Sequence, residues 1–268
     1  MTIVTISRGT YTKGKEVAEI LAQELNYECL SREIIIEASE EFNIPEIKLV
    51  RAIHDAPSIL DRFTYGRERY LAFIKAAFLK HLQRDNIIYH GLAGHVFVQD
   101  ISHVIKIRIT ADLEFRIQEE MKRENISREQ ARSIIVKDDA ERNKWTMSVF
   151  DADISDPGFY DIILHIDTMG VKEAVSIIRH AIALPCFKST PKSRRRLGDL
   201  CLASQVEAAL ISDFPKVTAS ASNGNVFVNI RGSLIDEKTV SEKVCRMLEN
   251  LEGIDKIHVN MIPYVIED

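Results

Sequence analysis

The sequence predicts an α/β protein: a mainly parallel sheet with helices on both faces, followed by a small α+β domain of order αββαβ. Three observations predict it. Short β-branched runs alternate with amphipathic helical stretches through residues 1–183, the pattern of strands joined by crossover helices. A stretch rich in proline, lysine and arginine at 184–196 then interrupts that pattern. Beyond it, Asn223-Gly224 separates two alternating runs, a strong hairpin signal.

Taken in order, Ile3 to Ile6 is β-branched and reads as a buried strand. A turn with Gly9 and Gly14 follows, then Val17, Ile20, Leu21 and Leu25 recur at helical spacing. Helices are expected at 33–41, 45–53 and 67–84, the last with Tyr70, Leu71, Ile74, Phe78 and Leu82 on one face. Strands are expected at 86–89, closing on His90-Gly91, and at 104–109, where Lys106 and Arg108 alternate with isoleucines. Helices follow at 113–124 and 128–145, with Ser127 as cap. A strand at 160–166 comes after the Asp156-Pro157-Gly158 turn, and a helix at 171–183 ends the first domain. The second domain reads as helix 197–211, strands near 216–221 and 226–230, a helix from Asp236 to about Leu251, and a strand through Ile257, Val259 and Met261. Val206, Leu210, Val244, Met247, Leu248 and Leu251 are its expected core.

The chain has 268 residues, a length that suits one large or two unequal domains. The expected division is 1–183, a basic linker at 184–196, and 197–264. With 46% hydrophobic and 28% charged residues there is ample material for a core. A net charge of -5 gives no overall attraction to nucleic acid or anionic membrane. Cys29, Cys186, Cys201 and Cys245 are scattered, with no CxxC pair, which argues for reduced thiols and against a zinc cluster. No signal-peptide pattern opens the sequence, and no apolar run approaches the roughly 20 residues of a membrane helix. A cytoplasmic protein is expected.

The chemistry centres on Gly9-Thr10-Tyr11-Thr12-Lys13-Gly14-Lys15, which satisfies G-x4-G-K between the first strand and the first helix. Backbone N–H groups at a helix N-terminus face phosphate oxygens, and a lysine neutralises them. Two features depart from the usual loop. Glu16 stands where a Ser or Thr hydroxyl would ligate magnesium, and Tyr11 and Lys13 occupy inner positions where glycine lets the backbone approach closely.

Residues 1–182 resemble the cytidylate kinase-like family of P-loop proteins. The carriers are Ile6-Ser7-Arg8, Gly14-Lys15-Glu16, Leu30-Ser31-Arg32-Glu33-Ile34-Ile35, Lys106-Ile107-Arg108-Ile109-Thr110-Ala111 with Glu114 and Arg116, residues 139–145, Asp156-Pro157 and Tyr160-Asp161-Ile162-Ile163-Leu164. In that family a basic residue followed by Glu closes the loop, so Glu16 looks like a family trait. The resemblance implies transfer of a phosphoryl group from ATP to a nucleoside monophosphate such as CMP, with Mg2+. It implies a nucleotide-binding loop over residues 9–16, phosphate held by Lys15, and lid cations at Arg142 and Lys144. Substrate contacts are expected from Arg32, Arg67, Arg69 and His90. Ser31 stands where the family often has Asp, and Leu92 where Gly-Arg is common. The alternative is therefore a catalytically degenerate nucleotide-binding protein that senses a small-molecule nucleotide.

Several other groups have two readings. His90 and His95 flank a glycine pair at the end of a strand, where ligands bind parallel sheets, yet no ligand-spaced Cys or carboxylate makes them a metal pair. Arg62, Arg67, Arg69 and Lys75 could fork onto a phosphate or form a solvated helix face. Trp145 packs a helix or stacks a base. Arg194-Arg195-Arg196 lacks aromatic interleaving and reads as solvated linker rather than a specific nucleic-acid site. Residues 197–263 resemble a BON domain through Val206-Glu207-Ala208-Ala209-Leu210, the stretch Asn225-Val226-Phe227-Val228-Asn229-Ile230-Arg231-Gly232-Ser233-Leu234, and Leu251-Glu252-Gly253-Ile254-Asp255-Lys256-Ile257. That resemblance implies a module for a protein or ligand partner. A homo-oligomer stays open.

Overall fold

The computed structural model describes residues 2–9, 12–31, 33–42, 66–91, 94–150, 153–233 and 236–263. The chain forms two compact units that are not collinear with the sequence. Among the described residues, the first holds those up to Ile34 together with 84–190. The second holds 35–42, 66–83 and everything from Pro191 onward.

The first unit is a five-stranded parallel sheet: β1 (Ile3–Arg8), β2 (Glu28–Leu30), β3 (Ile87–His90), β4 (Val104–Ala111) and β5 (Ile162–Ile166), in the order β2-β3-β1-β4-β5. Its helices include α1 (Gly14–Leu25), the start of α2 (Glu33–Glu41), the short α4 (Gly94–Phe97), α5 (Leu113–Glu124), α6 (Arg128–Phe150) and α7 (Val171–Ala183), while α3 (Gly66–Leu82) lies in the second unit. Strand alternation decides the core. Val4, Ile6, Ile105, Ile107, Ile109, Leu164 and Ile166 share one face, buried under Val17, Ala18 and Leu21 of α1 and Ala174, Val175 and Ile178 of α7. Strand β2 has three residues, too short for a periodic signal. α1 stops at Asn26, which adopts left-handed geometry at φ 52° and donates its N–H back to Gln23. The expected cap at Ser127 is present as a reciprocal box: Gln130 N–H donates to Ser127 Oγ at 3.3 Å, and Ser127 N–H donates to Gln130 Oε1 at 2.9 Å.

The second unit contains a three-stranded sheet, β6 (Thr218–Ser222), β7 (Asn225–Arg231) and β8 (Lys256–Ile262), with α8 (Pro191–Leu210) and α9 (Glu237–Leu248). β6 and β7 form an antiparallel hairpin, and β8 runs parallel to β7. Asn223 and Gly224 turn the hairpin with φ 47° and 77°, the backbone that such a two-residue turn demands. Val206, Leu210, Val244 and Leu248 are buried as expected, with Met247 and Leu251 half-buried.

The basic run at 194–196 is not an irregular linker: it lies within α8, which begins at Pro191. Proline is pre-organised for the first helical turn and arginine is a good helix former. The buried residues Ser193, Leu197 and Cys201, spaced four apart, extend the buried face of the helix through it. α3 packs on α8 in the same unit: Lys75 Nζ lies 2.9 Å from Glu207 Oε2, while Glu207 Oε1 accepts from the Ala219 N–H at 3.0 Å. The helix expected at 45–53 lies outside the described residues.

Candidate functional site: an arginine-lined cavity beside the loop

The site begins with the second face of the parallel sheet. Where Ile105, Ile107 and Ile109 face the core, Lys106, Arg108 and Thr110 must face the other way. Lys106 is buried, and its Nζ meets Asp161 Oδ2 at 3.0 Å and the Val104 carbonyl at 3.1 Å. A buried ammonium needs such partners, because an unpaired charge in the interior is costly. Arg108 lies one step toward the C-terminal edge and donates to the Ile154 carbonyl and to the Tyr160 hydroxyl. Ser7 of β1 stands in register beside it.

At that edge β1 runs into the loop. Thr12 is buried and its hydroxyl donates to the Gly9 carbonyl at 3.2 Å. Lys13 takes left-handed geometry at φ 62° and enters α1 without a side-chain cap, so the first-turn amides of the helix have no side-chain cap to satisfy them. This is one of the positions where glycine would carry no strain. Gly14 has a different necessity: a Cβ there would lie 2.7 Å from Arg8 Cβ. The Lys13 ammonium pairs with Glu119 of α5 at 2.5 Å and with Glu16 at 3.5 Å. The hydrogen bond to Glu119 raises the lysine pKa, and the same bond holds the carboxyl below its ordinary range. Lys15 points outward, 63% exposed, with Glu19 3.5 Å away.

Beside the loop is a cavity of about 300 Å³ lined by four arginines, Arg8, Arg108, Arg116 and Arg142, with Gly9, Thr12, Thr110, Ala111, Asn143, Ile154 and Ser155. Among the described residues Asp139 is the one carboxylate in that lining. Arg116 of α5 donates to Asp139 Oδ2 at 2.7 Å, and Arg142 of α6 donates to the Arg8 carbonyl at 3.2 Å. Asp139 and Arg142 are three apart on one helix, so they share a face. Four guanidinium groups against one carboxylate make a place for an anion, and their planar forks match phosphate oxygens.

The residues singled out from the sequence fall in different places. Gly9, Thr12 and Arg142 line the cavity, whereas Lys13, Lys15 and Glu16 engage Glu119, Glu19 and one another outside its lining. Lys144 is exposed and is not part of the lining. His90 is buried at the end of β3. Arg69, in α3 of the second unit, sits 5.6 Å from the centroid of the Phe73 ring. Arg67 is in the same helix, and its side chain, with Thr10, Tyr11 and Arg32, lies outside the described residues. Arg8, Arg108, Arg116 and Asp139 were not among the residues the sequence pointed to as a site. Their signal was the basic alternation in β4 and the Asp139/Arg142 spacing. Among the described residues no three His, Cys, Asp or Glu side chains are placed to hold a metal ion. Nor does any helix among them have the length and apolarity to cross a membrane.

A parallel five-stranded sheet with flanking helices and a glycine loop between β1 and α1 defines the P-loop kinase fold class. The chain belongs to the cytidylate kinase-like family, whose model matches residues 3–168. Among solved structures it is similar to an uncharacterized protein from Eubacterium ventriosum, at 18% identity over 68% of this chain and 98% of that one, TM-score 0.52. A weaker likeness, 13% identical over 68% of this chain and 93% of the other, TM-score 0.39, is to a shikimate kinase from Acinetobacter baumannii solved with shikimate. No curated protein matches the chain.

Proposed function

We propose that the first unit is an ATP-dependent kinase that transfers a phosphoryl group to a small acceptor, with a nucleoside monophosphate such as CMP as the leading candidate. The observation that carries this reading is the cavity with four arginines and one carboxylate beside the loop of a family member. Phosphoryl transfer asks the protein mainly for positioning and for stabilisation of charge on the transferring group. Arg116 and Arg142 line the cavity from α5 and α6, where they would act as lid cations. Thr12 and the first-turn amides of α1 would face phosphate oxygens. Within the first unit, Arg32 and His90 remain candidates for the acceptor. Magnesium would arrive with the nucleotide, since Asp139 is held by Arg116 and Glu16 leans toward Lys13 rather than forming a cage. A metal so bound would help to neutralise the phosphate charge during transfer.

One observation favours a second reading, nucleotide sensing without transfer. The loop lysine Lys15 is turned to solvent against Glu19, and Lys13 is tied to Glu119. The αββαβ module would then pass the signal to a protein or ligand partner, in a cytoplasmic setting. Thermal-shift titration with ATP, with and without Mg2+, followed by turnover assays with CMP, separates the two. Transfer to CMP that is lost in Lys15→Ala supports the kinase. Stabilisation by ATP with no transfer to any monophosphate supports the sensor, and no stabilisation at all sinks both.

A further inference from the structure

Arg108 is a cavity arginine held by a tyrosine and a backbone carbonyl. Its Nη1 donates to the Ile154 carbonyl and to Tyr160 Oη at 3.1 Å, and its guanidinium carbon sits 5.5 Å from the Tyr160 ring centroid. Arg116, by contrast, is paired with Asp139. Among the described residues no carboxylate lies within ion-pair distance of Arg108. A carboxylate there would orient the arginine but compete with an incoming phosphate. A tyrosine orients it through a neutral oxygen and a ring face, with no ion pair for the ligand to displace.

The tyrosine is itself held from four sides. Its Oη lies 2.9 Å from the Ile154 carbonyl, 3.2 Å from His95 Nε2 and 3.4 Å from Ser7 Oγ, besides its contact with Arg108. A phenol has one proton and two lone pairs. The carbonyl takes the proton and Arg108 fills one lone pair, so the other accepts a second donor. His95 fits that place. It is 2% exposed and stacks on the Tyr160 ring at 4.8 Å. Burial, then the charges of Arg108 and Lys106, lower its pKa to about 4. The ring is therefore neutral near pH 7 and has one N–H. Placed on Nε2, that N–H reaches Tyr160 and leaves Nδ1 bare, in keeping with its lack of a hydrogen-bond partner among the described residues. Gln99 closes the frame by donating to the carbonyls of His95 and Phe159 at 2.8 and 3.1 Å.

We propose that Tyr160 is a positioning residue for the arginine-lined cavity: its hydroxyl and ring hold the Arg108 guanidinium for a phosphate oxygen, and His95 holds Tyr160. The proposal rests on the cavity binding the phosphates of ATP. A long side chain with no ion-pair partner would otherwise spread over many rotamers, and fixing it before binding lowers the entropy lost on binding.

The test is calorimetric titration of Mg-ATP into the full chain and its variants. Arg108→Lys keeps charge but loses the fork, and Tyr160→Phe keeps the ring but loses the hydroxyl. Each is expected to weaken ATP about tenfold, and the double variant to be no weaker than Arg108→Lys by more than about twofold, because the two act as one unit. His95→Gln, whose amide can supply the same N–H, is expected to keep wild-type affinity, while His95→Leu weakens it. A Tyr160→Phe protein with wild-type affinity, or single effects that multiply in the double variant, would overturn the proposal alone. Failure of the wild type to bind Mg-ATP would overturn the reading of the cavity and the proposal with it. Should Tyr160→Phe not fold, the His95→Gln and His95→Leu pair decides: equal affinities for both overturn the proposal.

Discussion

The two faces of the parallel sheet are made by alternate residues of the same strands, and they serve opposite ends. On one, Ile105, Ile107 and Ile109 are sealed under α1 and α7. On the other, Lys106, Arg108 and Thr110 lead in three steps from a buried ion pair to the wall of a cavity. The comparison teaches where stability and chemistry separate. Hydrocarbon burial supports the sheet, and that support lets the opposite face carry cations whose desolvation would be costly in a weaker frame. Each step along β4 has its own solution: Asp161 for Lys106, a tyrosine and a carbonyl for Arg108, and open cavity beyond.

The largest effect should come from the apolar face. Ile107→Ala, at a side chain with no exposure, is expected to destabilise the first unit by about 2–5 kcal/mol, read as a lower urea midpoint. On the polar face, Lys106→Met should cost about 1–3 kcal/mol, because the Asp161 carboxylate loses its cation while keeping the Lys106 backbone N–H at 2.8 Å. Adding Asp161→Asn should recover part of that loss. If Lys106→Met alone is as stable as wild type, the ion pair is not what permits charge on this face. The smallest effect belongs to the half-buried rim, where Lys13 pairs with Glu119. The Glu119 carboxyl is depressed in the folded state, so its contribution is present above its ordinary pKa of 4.5 and is lost as pH falls through the folded value. Lys13 is raised, so its contribution is complete below 10.5 and is lost as pH rises through the folded value. The advantage of wild type over Glu119→Gln should therefore stay flat from about pH 5 to 10, amount to less than about 1 kcal/mol, and fade outside that window. Melting temperatures of the two proteins across pH check it.

Much of the fold was legible because β-branched runs and helical stripes are local signals. β1, the glycine loop and α1 could be read from residues 3–25, and the two-residue turn at Asn223-Gly224 from its own chemistry. β2 was not, since Glu28, Cys29 and Leu30 are too few to show a period. The start of α8 was misread because Arg194, Arg195 and Arg196 look solvated in isolation, while Ser193, Leu197 and Cys201 set the helix face only with its neighbours in place. The site was legible in part. Lys15 could be found by spacing, but spacing says nothing of its outward turn toward Glu19. The arginines stand at 8, 108, 116 and 142, joined by sheet register and by the α5–α6 hairpin rather than by any window of sequence.

The central claim is that the polar face ends in a phosphate site, and the most direct test is Mg-ATP calorimetry on wild type and Arg142→Ala. Arg142 is half-buried and donates to the Arg8 carbonyl, so its loss should cost about 1 kcal/mol of stability and leave the protein folded. Wild-type binding weakened tenfold or more in a variant that still melts cooperatively is the result expected of the arginine cavity. Equal affinities in the two proteins would contradict it and would move the nucleotide away from the cavity altogether.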